Sequence, residues 1–236
     1  MTNRHLVKSR ASTKFAISAV TVVCTTVAVA IFLLSYFPTL AMFPYKKAVG
    51  NAVIYSEYPI SDEIEQIITR SEYLVLKSPL YESEGQKQKI FLTNGEVRWQ
   101  ILTMNSDALA ISRPITEPIV VNRSSMSSDQ VWSGSVSPSS RDLSGVIAHE
   151  KTHGLIRRKF GVLASRSFPD WVVEGYCDYV SGRSSLTGQQ ATRLIAQGQR
   201  PPALFYYESR NRVERALASN GGSVVSLFEV ARTQEN

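Results

Sequence analysis

The sequence is nearly without histidine. Of 236 residues only His5, His149 and His153 carry an imidazole, so everything beyond residue 5 concentrates its histidine in one five-residue window. Cysteine is as scarce. Cys24 lies in an uncharged run near the N-terminus, and Cys177 stands alone downstream. No disulfide can form within the downstream part, so its core must hold the fold, and its lone thiol is expected to be buried and inert. Acid is missing from residues 1–14, which hold Arg4, Lys8, Arg10 and Lys14. Removing those four charges from the formal net of +6 leaves +2 for the rest. No basic stripe interleaved with aromatics remains, which argues against a nucleic-acid partner.

Charge of either sign is missing from Phe15 to Tyr45. The apolar heart of that run, FAISAVTVVCTTVAVAIFLLSYF, is 23 residues long. About 20 residues suffice to cross the hydrocarbon layer as a helix. The basic flank predicts that the N-terminal side stays cytoplasmic and the remainder faces outward. The competing reading is a signal peptide cleaved near Thr39-Leu40-Ala41, although such an apolar segment usually runs only about 7–15 residues. Both readings export the downstream domain. The expected organisation is a basic cytoplasmic tail (1–14), a transmembrane signal anchor (15–37), a connector (38–59) and one domain (60–236). Nothing in the sequence speaks to oligomeric state.

Along the chain, AVIY (52–55) reads as a short strand in the connector. Ser61 can cap a helix with Asp62, Glu63 and Glu65 in its first turn and Ile64, Ile67 and Ile68 on its apolar face. KIFLT (89–93) reads as a strand, Asn94-Gly95 as a turn, and EVRWQILTM (96–104) as a helix. ALAISR (108–113) and PIVVN (118–122) read as two strands. The serine-rich run Ser124 to Ser140 reads as a surface loop. Ser139 or Ser140 can cap a long helix that reaches Phe160 and stops at Gly161. Asp170 can cap another, WVVEGYCDYVS, ended by Gly182. Two further helices are expected near Ala203–Ala218 and Ser223–Ala231. Mixed strands and helices followed by helices alone make an α+β domain with a helical C-terminal part.

The two downstream histidines stand four apart in GVIAHEKTHGLIRR, residues 145–158. Four residues make about one helical turn, so His149 and His153 share a face and can direct two nitrogens at one ion. Glu150 is rotated by about 100° from His149, which borders the same cleft without taking a ligand position and suits a general base. No further histidine is at hand for a third ligand: six residues beyond His153 stands Lys159. A carboxylate is then required, and Glu174 lies 21 residues beyond His153 on a second helix. Two histidines, one carboxylate and an open position form the catalytic His2Glu zinc arrangement. Asp178, one turn beyond Glu174, can accept the other N–H of a ligand histidine.

HEKTH followed by WVVEGYCDY resembles the gluzincin metallopeptidases, many of which carry HExxH, a spacer and a W-x-x-E-G segment on a helix. The resemblance covers about 140–182. It implies a zincin-like fold, a small mixed sheet with an active-site helix and a helical C-terminal part, behind the N-terminal span. It also implies Zn2+ held by His149, His153 and Glu174, with Glu150 as catalytic base in the hydrolysis of peptide bonds of a peptide or protein substrate. Asp178 matches only part of that superfamily. The chain departs from the pattern in being small and in lacking a downstream histidine to stabilise the transition state. Tyr206, Tyr207 and Arg210 in LFYYESRNR are the candidates for that donor. An edge strand above the active-site helix can pair with extended substrate, and Ile119–Asn122 is the candidate.

The alternative is a non-catalytic zinc-binding interaction module of the cell envelope, which needs the ligands but not Glu150. An intramembrane metalloprotease would carry its motif in an apolar span, whereas Arg157, Arg158 and Lys159 follow directly here.

Overall fold

The structure, a computed structural model, describes residues 4–83, 87–134, 141–182, 184 and 186–234, with side chains from Val20 to Thr233. Helix α1 (Arg4–Tyr36) and a 3-10 turn (Pro38–Ala41) lead into β1 (Tyr45–Val49), β2 (Ala52–Ser56), α2 (Glu63–Leu76), β3 (Gln88–Leu92) and α3 (Val97–Thr103). Five short strands follow: β4 (Ala110–Ser112), β5 (Ile119–Val121), β6 (Arg123–Ser125), β7 (Gln130–Trp132) and β8 (Arg141–Asp142). The rest is helical: α4 (Leu143–Phe160), α5 (Val162–Ser165), α6 (Asp170–Ser181), α7 (Gly188–Ala196), α8 (Pro202–Ser219) and α9 (Val224–Gln234). The molecule is thus the α+β architecture expected, with a small mixed sheet first and helices after.

The main sheet runs β1-β2-β3-β5-β4. Strands β2, β3 and β5 are parallel, and antiparallel β1 and β4 close its two edges. Strand alternation sorts the side chains. Ile54, Ile90, Leu92, Ile119 and Val121 face a core shared with Ile64, Ile67 and Ile68 of α2 and Leu143, Val146 and Ile147 of α4. Phe91 and Val120 face the other way, against Trp99 and Leu102 of α3. A third core gathers Leu155 and Ile156 of α4 with Val172, Tyr176 and Cys177 of α6, Val213 of α8 and Phe228 of α9. Helix α4 therefore lies between sheet and helical part, and is buried almost continuously from Leu143 to Ile156.

Several expectations change. The serine-rich stretch is not one loop: β6 and β7 lie within it and join β8 in an antiparallel three-stranded sheet. The caps expected at Ser139 or Ser140 fall outside the described residues. The start of α4 is instead held by Asp129, whose carboxylate accepts from the Ser144 N–H and hydroxyl, both at 2.8 Å. Residues 45–56, read as connector, supply β1 and β2 of the main sheet. Strand β5 is interior, between β3 and β4, so Ile119–Asn122 is not an edge; among the described residues the edge on that side is β4. The difference comes from strand order, which is set by non-local pairing and is not written in local pattern.

The expected anchor, residues 15–37, falls almost wholly inside α1, but among the described residues no helix is long and apolar enough to cross a membrane, so the anchor is not supported. Where its side chains are described, from Val20 on, the helix carries Thr21, Thr25 and Thr26, the last two returning their hydroxyls to the carbonyls of Thr21 and Val22. Its C-terminal end is not free. Leu34 packs into the α3 core, and the Thr116 hydroxyl donates to the Tyr36 carbonyl at 2.8 Å.

Candidate metal centre

Two helices build the site. Helix α4 carries His149, Glu150 and His153, and stops at Gly161, whose φ of 88° is conformationally open to glycine and strained for other residues. Helix α6 carries Glu174, Cys177 and Asp178 and ends at Gly182, φ 78°. The glycine after Glu174 explains how α6 reaches its place. A Cβ on Gly175 would stand 2.5 Å from the Ser209 carbonyl oxygen of α8, so only glycine allows the two helices to lie this close.

Histidine and carboxylate meet at their tips. His149 and His153 have ring centroids 5.0 Å apart, nearly edge to face. Glu174 reaches between them: Oε2 lies 3.2 Å from His149 Nε2 and Oε1 3.7 Å from His153 Nε2. Behind His149, Nδ1 donates to Asp178 Oδ1 at 2.9 Å. That bond assigns the proton of a neutral ring to Nδ1 and turns the Nε2 lone pair toward Glu174. A lone pair facing a carboxylate needs a cation between them, either a proton or a metal ion.

Without a metal the cation is a proton. Burial resists protonation of His149, but the hydrogen bonds and charges of Asp178 and Glu174 outweigh it and push the ring up to about 10. Burial would raise Glu174, yet the His149 hydrogen bond and the charges of His153 and Arg141 take it down to about 2. Burial lowers His153, so this ring stays an unprotonated donor of its lone pair at neutral pH. Asp178 is fully buried and is held below the ordinary carboxylate range, its burial outweighed by His149 and by Arg141, whose Nη2 donates to Oδ1 at 2.9 Å. Among the described residues Asp178 Oδ2 has no partner.

A thiol completes the set. The ligating atoms of His149, His153 and Cys177 all lie within 4.8 Å of one another, so this buried cluster can hold a metal ion. Burial raises the Cys177 thiol well above its ordinary value, the nearby carboxylates adding to the effect. The donors present, two imidazoles with a carboxylate and a thiol one helical turn apart, are those that zinc accepts.

Of the remaining expected residues, Tyr206 is brought to the site and the other two are not. Its ring lies 6.3 Å from that of His149, and both line a cavity of about 400 Å³ together with Glu150, Val146, Ala110 and Arg141. Burial, reinforced by Glu174, Asp178 and Glu150, pushes its phenol up, so it remains a protonated donor at neutral pH. Tyr207 turns toward α7, where its hydroxyl approaches Gly188, and neither it nor Arg210 lines that cavity. A second cavity, of about 250 Å³, opens on the other flank, beside His153 and Glu174.

Sequence reasoning missed two participants. Arg141 precedes α4 on β8 and anchors Asp178 and, at 3.4 Å, the Ser181 hydroxyl. No spacing rule connects it to α6. Cys177 was readable in principle, since it stands three residues beyond Glu174 on the same helical face. Counting only histidines and carboxylates passed over it. Set against known proteins, the chain finds no matching family model, no matching curated protein and no matching solved structure.

Proposed function

We propose that the chain is a zinc-dependent metallopeptidase, with His149, His153 and Glu174 as metal ligands and Glu150 as general base. The observation that carries this reading is the placement of Glu174, whose two oxygens approach the Nε2 atoms of both histidines at 3.2 and 3.7 Å. A zinc ion held there supplies Lewis acidity, polarising a carbonyl and bringing the pKa of water to about 7.

The chain's own groups do the rest. Asp178, held by Arg141, fixes the His149 tautomer and orientation. Glu150, beside the cavity and outside the Glu174 contact, takes the proton of the attacking water and returns it to the leaving amine. Tyr206 offers its hydroxyl to the developing oxyanion. The edge strand β4, unpaired on its outer side among the described residues, offers backbone groups to an extended peptide. The basic tail and uncharged run of residues 1–37 support placing this activity outside the cytoplasm, and a cytoplasm-only reporter fused after residue 60 should then be inactive.

A second reading has one observation in its favour. Cys177 lies within ligand reach of both histidines, and a His2Cys set made of buried donors suits a non-catalytic zinc-binding module. The deciding experiment measures zinc and casein hydrolysis in the full chain and in Glu150→Gln. The peptidase reading expects one zinc per chain in both, with hydrolysis in Glu150→Gln reduced at least about 10²–10⁴-fold. Full proteolysis in Glu150→Gln overturns the mechanism. Zinc without cleavage of any peptide favours the binding module.

A further inference from the structure

We propose that the cavity on the His153 flank is a subsite for an acidic side chain, read by Arg166 and Arg157, on the amino side of the cleaved bond. The proposal rests on the peptidase reading of the same centre. It concerns which substrates that centre accepts.

The cavity, about 250 Å³, has apolar walls from Ile156, Val162 and Val173 and two guanidinium groups, those of Arg157 and Arg166. Arg157 is held ready. Its Nη2 donates to the Ser112 hydroxyl at 3.2 Å and its Nε to Glu117 Oε1 at 3.4 Å. Glu117 also pairs with Arg158. Arg166 is exposed, and among the described residues its guanidinium has no ion-pair partner. The cavity's own acid, Glu174, is turned to the histidines. The guanidinium of Arg166 is therefore left to offer a charge-assisted hydrogen bond to a carboxylate, beside walls that can hold the carbon chain bearing it.

Local geometry explains why Arg166 is there. Gly161 ends α4 with a φ of 88°, and the four-residue α5 that follows stays in contact with α4. Ser165 and Arg166 then complete the wall that begins at His153. The three consecutive basic residues after Ile156 look like a solvated helix end, but Arg157 faces inward.

The direction of the substrate follows from β4. Ala110, at its start, lines the larger cavity beside His149 and Glu150. Pro114, just past its end, lines the arginine cavity. The strand therefore runs from the first cavity to the second. A peptide added antiparallel, the slightly more stable pairing, runs from the second to the first. Its residue among the arginines precedes the scissile bond.

The test is a peptide series differing only at that residue, offered to the zinc-loaded full chain. Glu and Asp should exceed Gln and Asn by about 10-fold in kcat/KM, as for a hydrogen bond to a charged group. Arg166→Glu should reverse the order and favour Lys, with zinc content unchanged, a reversal that a merely structural arginine would not produce. A second readout needs no turnover: a labelled peptide should bind Glu150→Gln about 10-fold tighter with Glu at this position than with Gln, and adding Arg166→Glu should reverse that preference. Cleavage with equal rates for Glu and Gln overturns the subsite and leaves the peptidase standing. Acid preference that survives both Arg166→Glu and Arg157→Gln places the recognition elsewhere and overturns it too. Neither cleavage nor binding of any peptide overturns the subsite and the peptidase together.

Discussion

His149 Nδ1 lies 2.9 Å from Asp178 Oδ1, and the same oxygen accepts from Arg141 Nη2 at 2.9 Å. One carboxylate oxygen thus joins β8, α4 and α6, and it does so behind the face of His149 that meets Glu174. Replacing Asp178 by Asn removes the charge that both neighbours answer. Zinc affinity, measured by chelator competition, should fall about 10–100-fold without disappearing, the usual loss when a partner behind a metal ligand is changed. Wild-type affinity in Asp178→Asn would reduce the residue to a packing role.

The third protein ligand is decided by two single substitutions. Glu174→Ala should lose stoichiometric zinc, because it removes the oxygens set between the two histidines. Cys177→Ser should keep one zinc per chain. The reverse pattern, measured by metal analysis of the two purified proteins, would assign the site to His149, His153 and Cys177.

The metal-free chain should have a characteristic pH profile. His149 is raised to about 10 from 6.5, so its contribution to stability is complete below pH 6.5 and is lost as pH rises toward 10. Glu174 is lowered to about 2 from 4.5, so its contribution is present above pH 4.5 and is lost as pH falls toward 2. Denaturant midpoints of the chelator-treated protein should therefore be highest between pH 4.5 and 6.5 as far as this pair governs them. Zinc must displace the proton from His149 Nε2, so its uptake should release protons and weaken as pH falls. A metal-free protein whose stability rises steadily from pH 6.5 to 10 contradicts the ion pair.

Gly175→Ala tests the helix contact beneath the site. The added Cβ would meet the Ser209 carbonyl at 2.5 Å, and backbone on both sides must shift. The cost should be about 1–3 kcal/mol in chemical denaturation, as for overpacked cores. Zinc affinity should weaken with it, since Glu174 moves with the helix. An unchanged stability would mean that α8 yields freely.

Helices were the most legible part of the sequence. Gly161 and Gly182 mark the ends of α4 and α6 because positive φ favours glycine there, and Ile64, Ile67 and Ile68 are buried at the spacing that betrayed α2. Strands were less so. β1 reads YKKAV and leaves Tyr45 and Lys46 exposed, so an outer strand offered little apolar alternation. β6 and β7 hid among serines because each is three residues long and only Val131 of the six is fully buried. The order that puts β4 at the edge arises from pairings between residues far apart in sequence, such as Ile90 with Ile119. At the site, His149, Glu150, His153, Glu174 and Asp178 could be nominated from helical spacing, which is local. Arg141 could not, because its link to Asp178 spans two elements that only folding brings together.

The docking of α1 has a mechanical consequence. Its last turn is bonded to Thr116 through the Tyr36 carbonyl, and the Arg113 guanidinium lies 5.9 Å from the centre of the Tyr36 ring. Between those two residues stands Pro114, a wall of the arginine cavity. From Val20 to Tyr36 the helix extends about 25 Å at 1.5 Å per residue. It is a stiff handle attached beside the cleft, not a leash. Bending the handle near Tyr36 would pull on the connection that shapes the arginine cavity.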